Sequence, residues 1–184
     1  MALILDGTTG IVANNIAANT ITSTQIASGS KMGYGNMPTG SVLQVIQATT
    51  ATGVTNTSTS TWANTTLSAS ITPSYSNSKV FVLIMQEVQV WNSSNYATGM
   101  WQLLRGATVI YTPSSTDNGN IFAYDYGGSG INVFRPTPIM WLDSPSTTSS
   151  ITYYTQIKKG TNGGVLIGTN SNSPGSITLM EIAG

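Results

Sequence analysis

The chain has 184 residues, and its six basic and six acidic side chains cancel to a net charge of zero. Only 7% of the residues are charged, against roughly 25% in an ordinary globular protein. Because no basic patch is present to neutralise phosphates, nucleic acid is not an expected partner. The sequence has no histidine and no cysteine, which excludes Ser-His and Cys-His nucleophiles and removes the usual zinc ligands.

The distribution of apolar residues disfavours two further classes, membrane-spanning proteins and secreted proteins. No stretch approaches the ~18 uninterrupted apolar residues of a membrane span, so we expect no insertion into a membrane. The first residues lack the basic flank of a secretory signal, and Asp6 interrupts their apolar run. We therefore expect a protein made in a cytoplasm, which reaches its place of work by assembly or lysis.

The first 37 residues differ from the remainder of the chain. Isolated isoleucines recur every five residues among Asn, Thr and Gly, at Ile11, Ile16, Ile21 and Ile26. A step of five fits neither a helical face nor strand alternation. One interpretation is a flexible polar tail. The other is an extended arm, residues 1–37, whose isoleucines dock on copies of themselves or on another protein.

The remainder, residues 38–184, reads as a succession of short strands. Strands are predicted at 41–48, 67–71, 79–91, 99–105, 107–111, 131–134, 138–142, 150–158, 165–168 and 176–182, and no convincing helix is found. Residues 49–61 are predicted to be a loop or a weak edge strand, and residues 112–130 a long loop. Gly106 alone separates two strands, which indicates a tight hairpin or a bulged bend. This spacing is typical of an all-β fold, an antiparallel β-sandwich or jelly roll.

The longest apolar run, residues 79–91, is predicted to be the central strand of the domain. One face of this strand carries Val80, Val82, Ile84, Val88 and Val90, and the other carries Phe81, Leu83, Met85 and Trp91. A strand that is apolar on both faces is expected to be covered on both. The second face must then meet another sheet of the same chain or a neighbouring subunit.

Candidate catalytic groups are confined to carboxylates. Asp117 and Asp125 lie in one predicted loop and have the residue type of a glycosidase pair, but solvated loop aspartates are the simpler interpretation. Asn118 and Asn120 add oxygen ligands, yet the spacing does not match a calcium loop. We expect no enzyme activity, no metal and no cofactor.

The loop 112–130 also carries aromatic residues beside its polar ones. An exposed ring together with Asn and Asp side chains is what a sugar-binding surface needs. This hypothesis assigns glycan binding to Asp117, Asn120, Tyr124, Asp125 and Tyr126. The alternative is that the rings pack in the core or at a subunit interface.

Short strand and turn motifs lie at 38–48 (PTGSVLQVIQA), 67–73 (LSASITP), 78–80 (SKV), 103–106 (LLRG), 142–145 (LDSP) and 177–183 (ITLMEIA). Over residues 38–184 the chain resembles a β-rich module of bacteriophage virion proteins, including marine and cyanobacterial phage sequences. The opening LDGTTGI at 5–11 looks like the start of phage fibre proteins. The resemblance implies a trimeric fibre or knob whose N-terminal segment attaches to the particle and whose C-terminal β-domain faces outward.

These observations predict a virion structural protein, made in the host cytoplasm and assembled as a homotrimer with Phe81, Leu83 and Met85 near an intersubunit surface. The favoured role is a tail fibre or receptor-binding tip that is attached to other virion proteins by its arm and contacts host surface polysaccharide. The alternative is a capsid decoration or head-fibre protein. A carboxylate-dependent depolymerase is the third interpretation.

Overall fold

A computed structural model describes residues 37–93, 96–112, 121–124, 130–160, 164–167 and 173–184. These residues form eleven strands and no helix. The strands are β1 (Val42–Thr50), β2 (Val54–Asn56), β3 (Ala63–Ile71), β4 (Lys79–Asn92), β5 (Tyr96–Arg105), β6 (Thr108–Tyr111), β7 (Ile121–Tyr124), β8 (Ile131–Asp143), β9 (Ile151–Lys159), β10 (Gly164–Ile167) and β11 (Gly175–Ile182). The described part beginning at Met37 forms one compact unit to Gly184, while the predicted arm lies outside the described residues.

The strands form two antiparallel sheets. Sheet 1 has the order β1-β11-β4-β10-β2, with β8 on the other side of β4, and sheet 2 has the order β3-β9-β5-β6, with β7 paired to β5. The pairing is nested along the chain, because β1 pairs with β11, β3 with β9, β4 with β8 and β5 with β6. A long hairpin rolled up in this way is a jelly roll. The predicted all-β sandwich fold is confirmed.

The core lies between the two sheets and follows the alternation of the strands. In β4 every second residue from Val80 to Val90 is buried, and β11 and β9 alternate in the same way. Burial of each such aliphatic side chain contributes about 1.5–3 kcal/mol. The expected central position of residues 79–91 is confirmed, since β4 lies between β8 on one side and β11 and β10 on the other.

Two details differ from the sequence-based expectation, and a third agrees with it. The two short strands predicted at 131–134 and 138–142 are one strand, β8, which continues through Pro136 and Pro138. The predicted loop 112–130 contains the strand β7, so that part of the loop prediction is wrong. The hairpin at Gly106 is confirmed: this residue has a φ of 55°, in the left-handed region where glycine is favoured.

A polar contact at the centre of β4 links sheet 1 to sheet 2 through the apolar core. The Thr155 hydroxyl donates to Gln86 Oε1 over 3.1 Å, and Thr155 shares a second hydrogen bond of 2.7 Å with the Thr65 hydroxyl. Gln86 is buried, and its Nε2 has no acceptor among the described residues. An unpaired buried amide is costly, so Gln86 stabilises the domain less than an apolar side chain of the same shape.

Substitution Gln86→Met is therefore expected to leave the free energy of unfolding unchanged within about 1 kcal/mol, or to raise it. The matched control is Gln102→Met, since Gln102 Nε2 donates to Gln156 Oε1 over 2.6 Å and its loss is expected to cost about 1 kcal/mol. Chemical denaturation at pH 7 measures both. A loss of more than 2 kcal/mol for Gln86→Met, by the same hydrogen-bond scale, would contradict this account.

Candidate interaction surface

The residues predicted at a subunit interface lie on the outward face of sheet 1. Because side chains alternate along β4, Phe81, Leu83 and Met85 point away from the core that Val82 and Ile84 enter. Phe81 and Leu83 are half-buried, and Met85 is 48% exposed. The inward face of β4 is thus covered by sheet 2 of the same chain, whereas the outward face remains accessible.

The register of sheet 1 extends these residues into a continuous surface. Phe81 lies opposite Leu142 of β8 and Met180 of β11, and Met180 lies opposite Val45 of β1, so one row across four strands is wholly apolar. The next rows place Met140 beside Leu83 and Pro138 beside Met85. We name the eight side chains in these rows the apolar patch: Val45, Phe81, Leu83, Met85, Pro138, Met140, Leu142 and Met180.

The outward face of sheet 2 is polar along β3 and its partner β9. Its exposed positions on β3 are Asn64, Thr66, Ser68 and Ser70. Gln156 of β9 donates to Asn64 Oδ1 over 2.7 Å, and the hydroxyls of Ser70 and Thr152 are 2.7 Å apart. This side of sheet 2 is solvated, as is usual for an antiparallel sheet, whereas β5 at its centre places the buried Met100 and Leu104 outward.

The outward face of sheet 1 also carries little charge. Among the outward positions of β1, β4, β8 and β11, only Lys79 and Glu87 are charged. Several of its polar side chains bind one another: Gln47 Nε2 donates to Thr178 Oγ1 over 3.2 Å, and Gln89 Nε2 donates to Asn132 Oδ1 over 2.6 Å. An extended face of low charge and exposed apolar side chains is typical of a protein interaction site.

Of the predicted glycan-binding and docking residues, Tyr124 alone lies within the described part of the chain. Tyr124 ends β7, opposite Tyr96 of β5, while the other four predicted glycan-binding residues, Asp117, Asn120, Asp125 and Tyr126, lie outside the described residues. The docking isoleucines at 11, 16, 21 and 26 also lie outside them. Both assignments stay predictions.

Two carboxylates in the described part of the chain are buried and saturated with donors. Asp143 accepts from Arg105 Nη1 at 3.0 and 2.8 Å and from the Tyr153 hydroxyl at 2.7 Å. Because Asp143 ends β8 in sheet 1 and its partners lie on β5 and β9, this cluster joins the two sheets. Burial and the adjacent Asp143 carboxylate hold the pKa of Tyr153 well above its usual range, so its hydroxyl remains a donor.

The second buried carboxylate, Glu181, lies near the end of β11. It accepts from Gln44 Nε2 at 2.6 Å, from the Ser74 N–H at 2.6 Å and from the Ser74 hydroxyl at 3.0 Å. Burial raises the pKa of Glu181, but these donors outweigh it and hold the pKa below its ordinary value. Ser78 acts in the same direction, although its hydroxyl makes no hydrogen bond of good geometry with the described residues.

These clusters are arranged for stability. Each carboxylate is less than 10% exposed, and its oxygens already accept hydrogen bonds from protein donors. Neither carboxylate is therefore placed to contact a substrate. Within the described ranges, no group of three His, Cys, Asp or Glu side chains could hold a metal ion. Nor does any helix of the described chain have the length and apolar character to cross a membrane.

Sequence reasoning missed the five residues of the apolar patch that do not belong to β4. Met140 is the most exposed large apolar side chain of the described chain, at 67%, and Leu142 is 50% exposed. Both alternate with Ile139 and Trp141, which face inward, so the available signal was that 138–142 is apolar on both faces of the strand. The pairing of β8 with β4, which brings Met140 beside Leu83, is not visible in that pattern.

The fold and its surface define the class of the protein as an antiparallel β-sandwich with jelly-roll pairing. No family model matches the chain, and no curated protein matches it. Among solved structures, the chain is similar to one in the structure of the infectious bursal disease virus Gx strain, with 13% identity and a TM-score of 0.34. The match covers 84% of this chain and 41% of that one. A likeness at this level carries no argument about function.

Proposed function

We propose that this protein is a virion structural protein that works as a homotrimer, in the role of a tail fibre or receptor-binding tip. The observation that carries the proposal is the contrast between the two outward faces of one sandwich. The β3 side of sheet 2 presents hydroxyls and amides to water, whereas sheet 1 presents the apolar patch. An exposed apolar face of this kind is typical of a site where another protein surface binds.

Two further points support a virion role. The jelly roll is the architecture of many viral capsid and lectin domains, an analogy of fold that raises the expectation without assigning an activity. The strand and turn motifs over residues 38–184 resemble those of phage virion proteins. In this proposal the arm attaches the trimer to other virion proteins, and the β-domain contacts host surface glycans through Tyr124 and its neighbours.

A capsid decoration protein is the second candidate. The apolar patch would hold copies together on a head as well as on a tail, so the two roles differ in location and not in domain design. Electron microscopy of intact particles, with a label at the C-terminus of this chain, distinguishes them. Density at the tail tip supports the fibre, density on the head supports decoration, and absence of the chain from the particle contradicts both.

The arm is expected to provide attachment and the β-domain stability. A chain beginning at Met37 retains the whole described unit, so it is expected to fold with an unchanged melting temperature yet to be missing from purified particles. A matched control is a full-length chain with the arm intact and Ser68→Ala on sheet 2. Normal incorporation of the shortened chain would show that attachment lies within the β-domain.

A further inference from the structure

We infer that copies of this chain associate through the outward face of sheet 1, packing side chains of the apolar patch against one another, and not by joining strand edges into a continuous sheet. The inference rests on the proposed homo-oligomer and specifies its contact surface. It extends the contact beyond β4 to β1, β8 and β11, none of which the sequence had assigned to an interface.

The exposed edges of the sheets are unsuited to strand addition. β8 is the long edge strand of sheet 1, and it contains Pro136 and Pro138. Residues two apart direct their N–H groups to the same side of a strand, so the two prolines remove two successive donors from one side. Proline is tolerated in a sheet where that side is the free edge. The free edge of β8 is therefore poorly suited to pairing with a strand of another chain.

The remaining edges are short or already occupied. β2 has three residues and β6 has four, and short edge strands offer few backbone groups for pairing. The edge of β1 lies against β3, the nine-residue edge strand of sheet 2, because Gln44 Nε2 donates to Thr72 O over 2.8 Å and the hydroxyls of Thr50 and Thr66 are 3.0 Å apart. A contact between copies consequently has to use side chains on a face.

The outward face of sheet 1 is large enough for a stable contact. β4 has 14 residues, and four strands lie side by side along its length, either β1, β11, β4 and β8 or β2, β10, β4 and β8. At about 3.3 Å per residue and about 4.8 Å between strands, the face measures about 46 by 19 Å, or on the order of 900 Å². A standard interface uses about 800 Å² on each partner.

The low charge of this face fits a second copy as the partner. A second copy brings the same side chains, so two such faces oppose few like charges when they meet. Lys79 and Glu87 are the only charged residues on the described outward positions of β1, β4, β8 and β11. Two polar pairs lie around the apolar patch, Gln47 with Thr178 and Gln89 with Asn132, and they keep their hydrogen bonds when the face is covered. The free-energy cost of removing water from these side chains is therefore small.

The test compares lysine substitutions at positions that already tolerate exposure, in sedimentation equilibrium of the full chain. Met140→Lys and Val45→Lys lie on the patch, at exposed fractions of 67% and 54%, and Ser68→Lys on sheet 2 is the matched control. We expect each patch variant to weaken association by about 100-fold, because a charge is buried without a partner, and the control to associate normally. Thermal unfolding verifies that each variant is folded.

Val45 separates a face contact from an edge contact, since β1 lies three strands from the free edge of β8. A loss of association for Met140→Lys alone would favour the edge and overturn the inference, as would normal association of both patch variants. A wild-type chain that stays monomeric at 100 µM would instead refute the proposed homo-oligomer itself.

A second measurement uses the absence of native cysteine. In a Val45→Cys chain, maleimide labelling is expected to be slow where the chain associates and to become fast on dilution to the monomer. Ser68→Cys is expected to be labelled at the same fast rate under both conditions. Equal, fast labelling of both cysteines in the associated chain would overturn the inference even if the lysine variants failed to fold.

Discussion

A chain truncated after Pro174 is expected not to fold. The truncation removes β11, which lies between β1 and β4 and pairs with both. Its inward residues Ile177 and Leu179 are fully buried, and each is worth about 1.5–3 kcal/mol. Together with two lost strand ladders, this loss approaches the 5–15 kcal/mol that stabilises a typical domain. Circular dichroism and limited proteolysis of the purified chain measure the result.

The matched control is the longer deletion at the other end. Removal of Met1–Asn36 leaves the compact unit intact, so a chain lacking those residues is expected to give a cooperative thermal transition. The comparison shows that position in the sheet, and not the number of residues removed, decides stability. A cooperatively folded chain without β11 would contradict this account, because it would require β1 and β4 to find other partners.

The strands with strict alternation were predictable from the sequence. Residues 176–179 alternate between polar and apolar residues, and the structure places Ile177 and Leu179 inward and Thr178 outward. The run at 79–91 was predictable as a central strand for a related reason, since it is apolar on both faces. In each case the burial of apolar side chains dominates the local structure.

The predictions failed where a local signal opposed the tertiary context. Pro136 and Pro138 normally interrupt a strand, yet β8 continues through them because an edge strand has one side without hydrogen-bonding partners. In the loop 112–130, glycine and polar residues surround Ile121 and Phe122, and β7 forms there by pairing with β5. Neither the edge position nor this pairing is visible in the local sequence.

The interaction surface was predictable only in part for the same reason. Phe81, Leu83 and Met85 follow from the two-sided apolar character of one strand. The addition of Val45, which is 36 residues away from Phe81 in sequence, depends on the order β1-β11-β4. Register is a tertiary property that turn chemistry and core packing set together, so the row across four strands emerges only when the sheet is assembled.

The buried polar residues were the least predictable feature. Glu181 lies on the same face of β11 as Ile177 and Leu179, and this charged residue is fully buried. Its partners come from β1 and from the segment between β3 and β4, more than 100 residues away in sequence. A buried carboxylate is stable here because backbone and side-chain donors replace its water.

Replacement of Glu181 by glutamine is expected to lower the free energy of unfolding at pH 7 by on the order of 3 kcal/mol. An amide has one acceptor oxygen instead of two, and its NH2 group faces donors from Gln44 or Ser74, which leaves buried donors unpaired. No lysine or arginine of the described residues forms an ion pair with Glu181, so the loss is one of hydrogen bonds. Glu87→Gln, on the outward face, is the matched control with little expected effect.

The difference between wild type and Glu181→Gln is also expected to depend on pH in a defined direction. The folded chain holds the pKa of Glu181 below its ordinary value of 4.5, so the unfolded chain binds this proton more readily. The stability that the carboxylate contributes is fully present above the ordinary value and is lost as the pH falls through the folded pKa. Because the other carboxylates titrate in both chains, they cancel in the comparison. Chemical denaturation from pH 7 to pH 3 is expected to show the two stabilities converging, and a gap that stays constant or widens towards low pH would refute the assignment of Glu181 as a charged, hydrogen-bonded group.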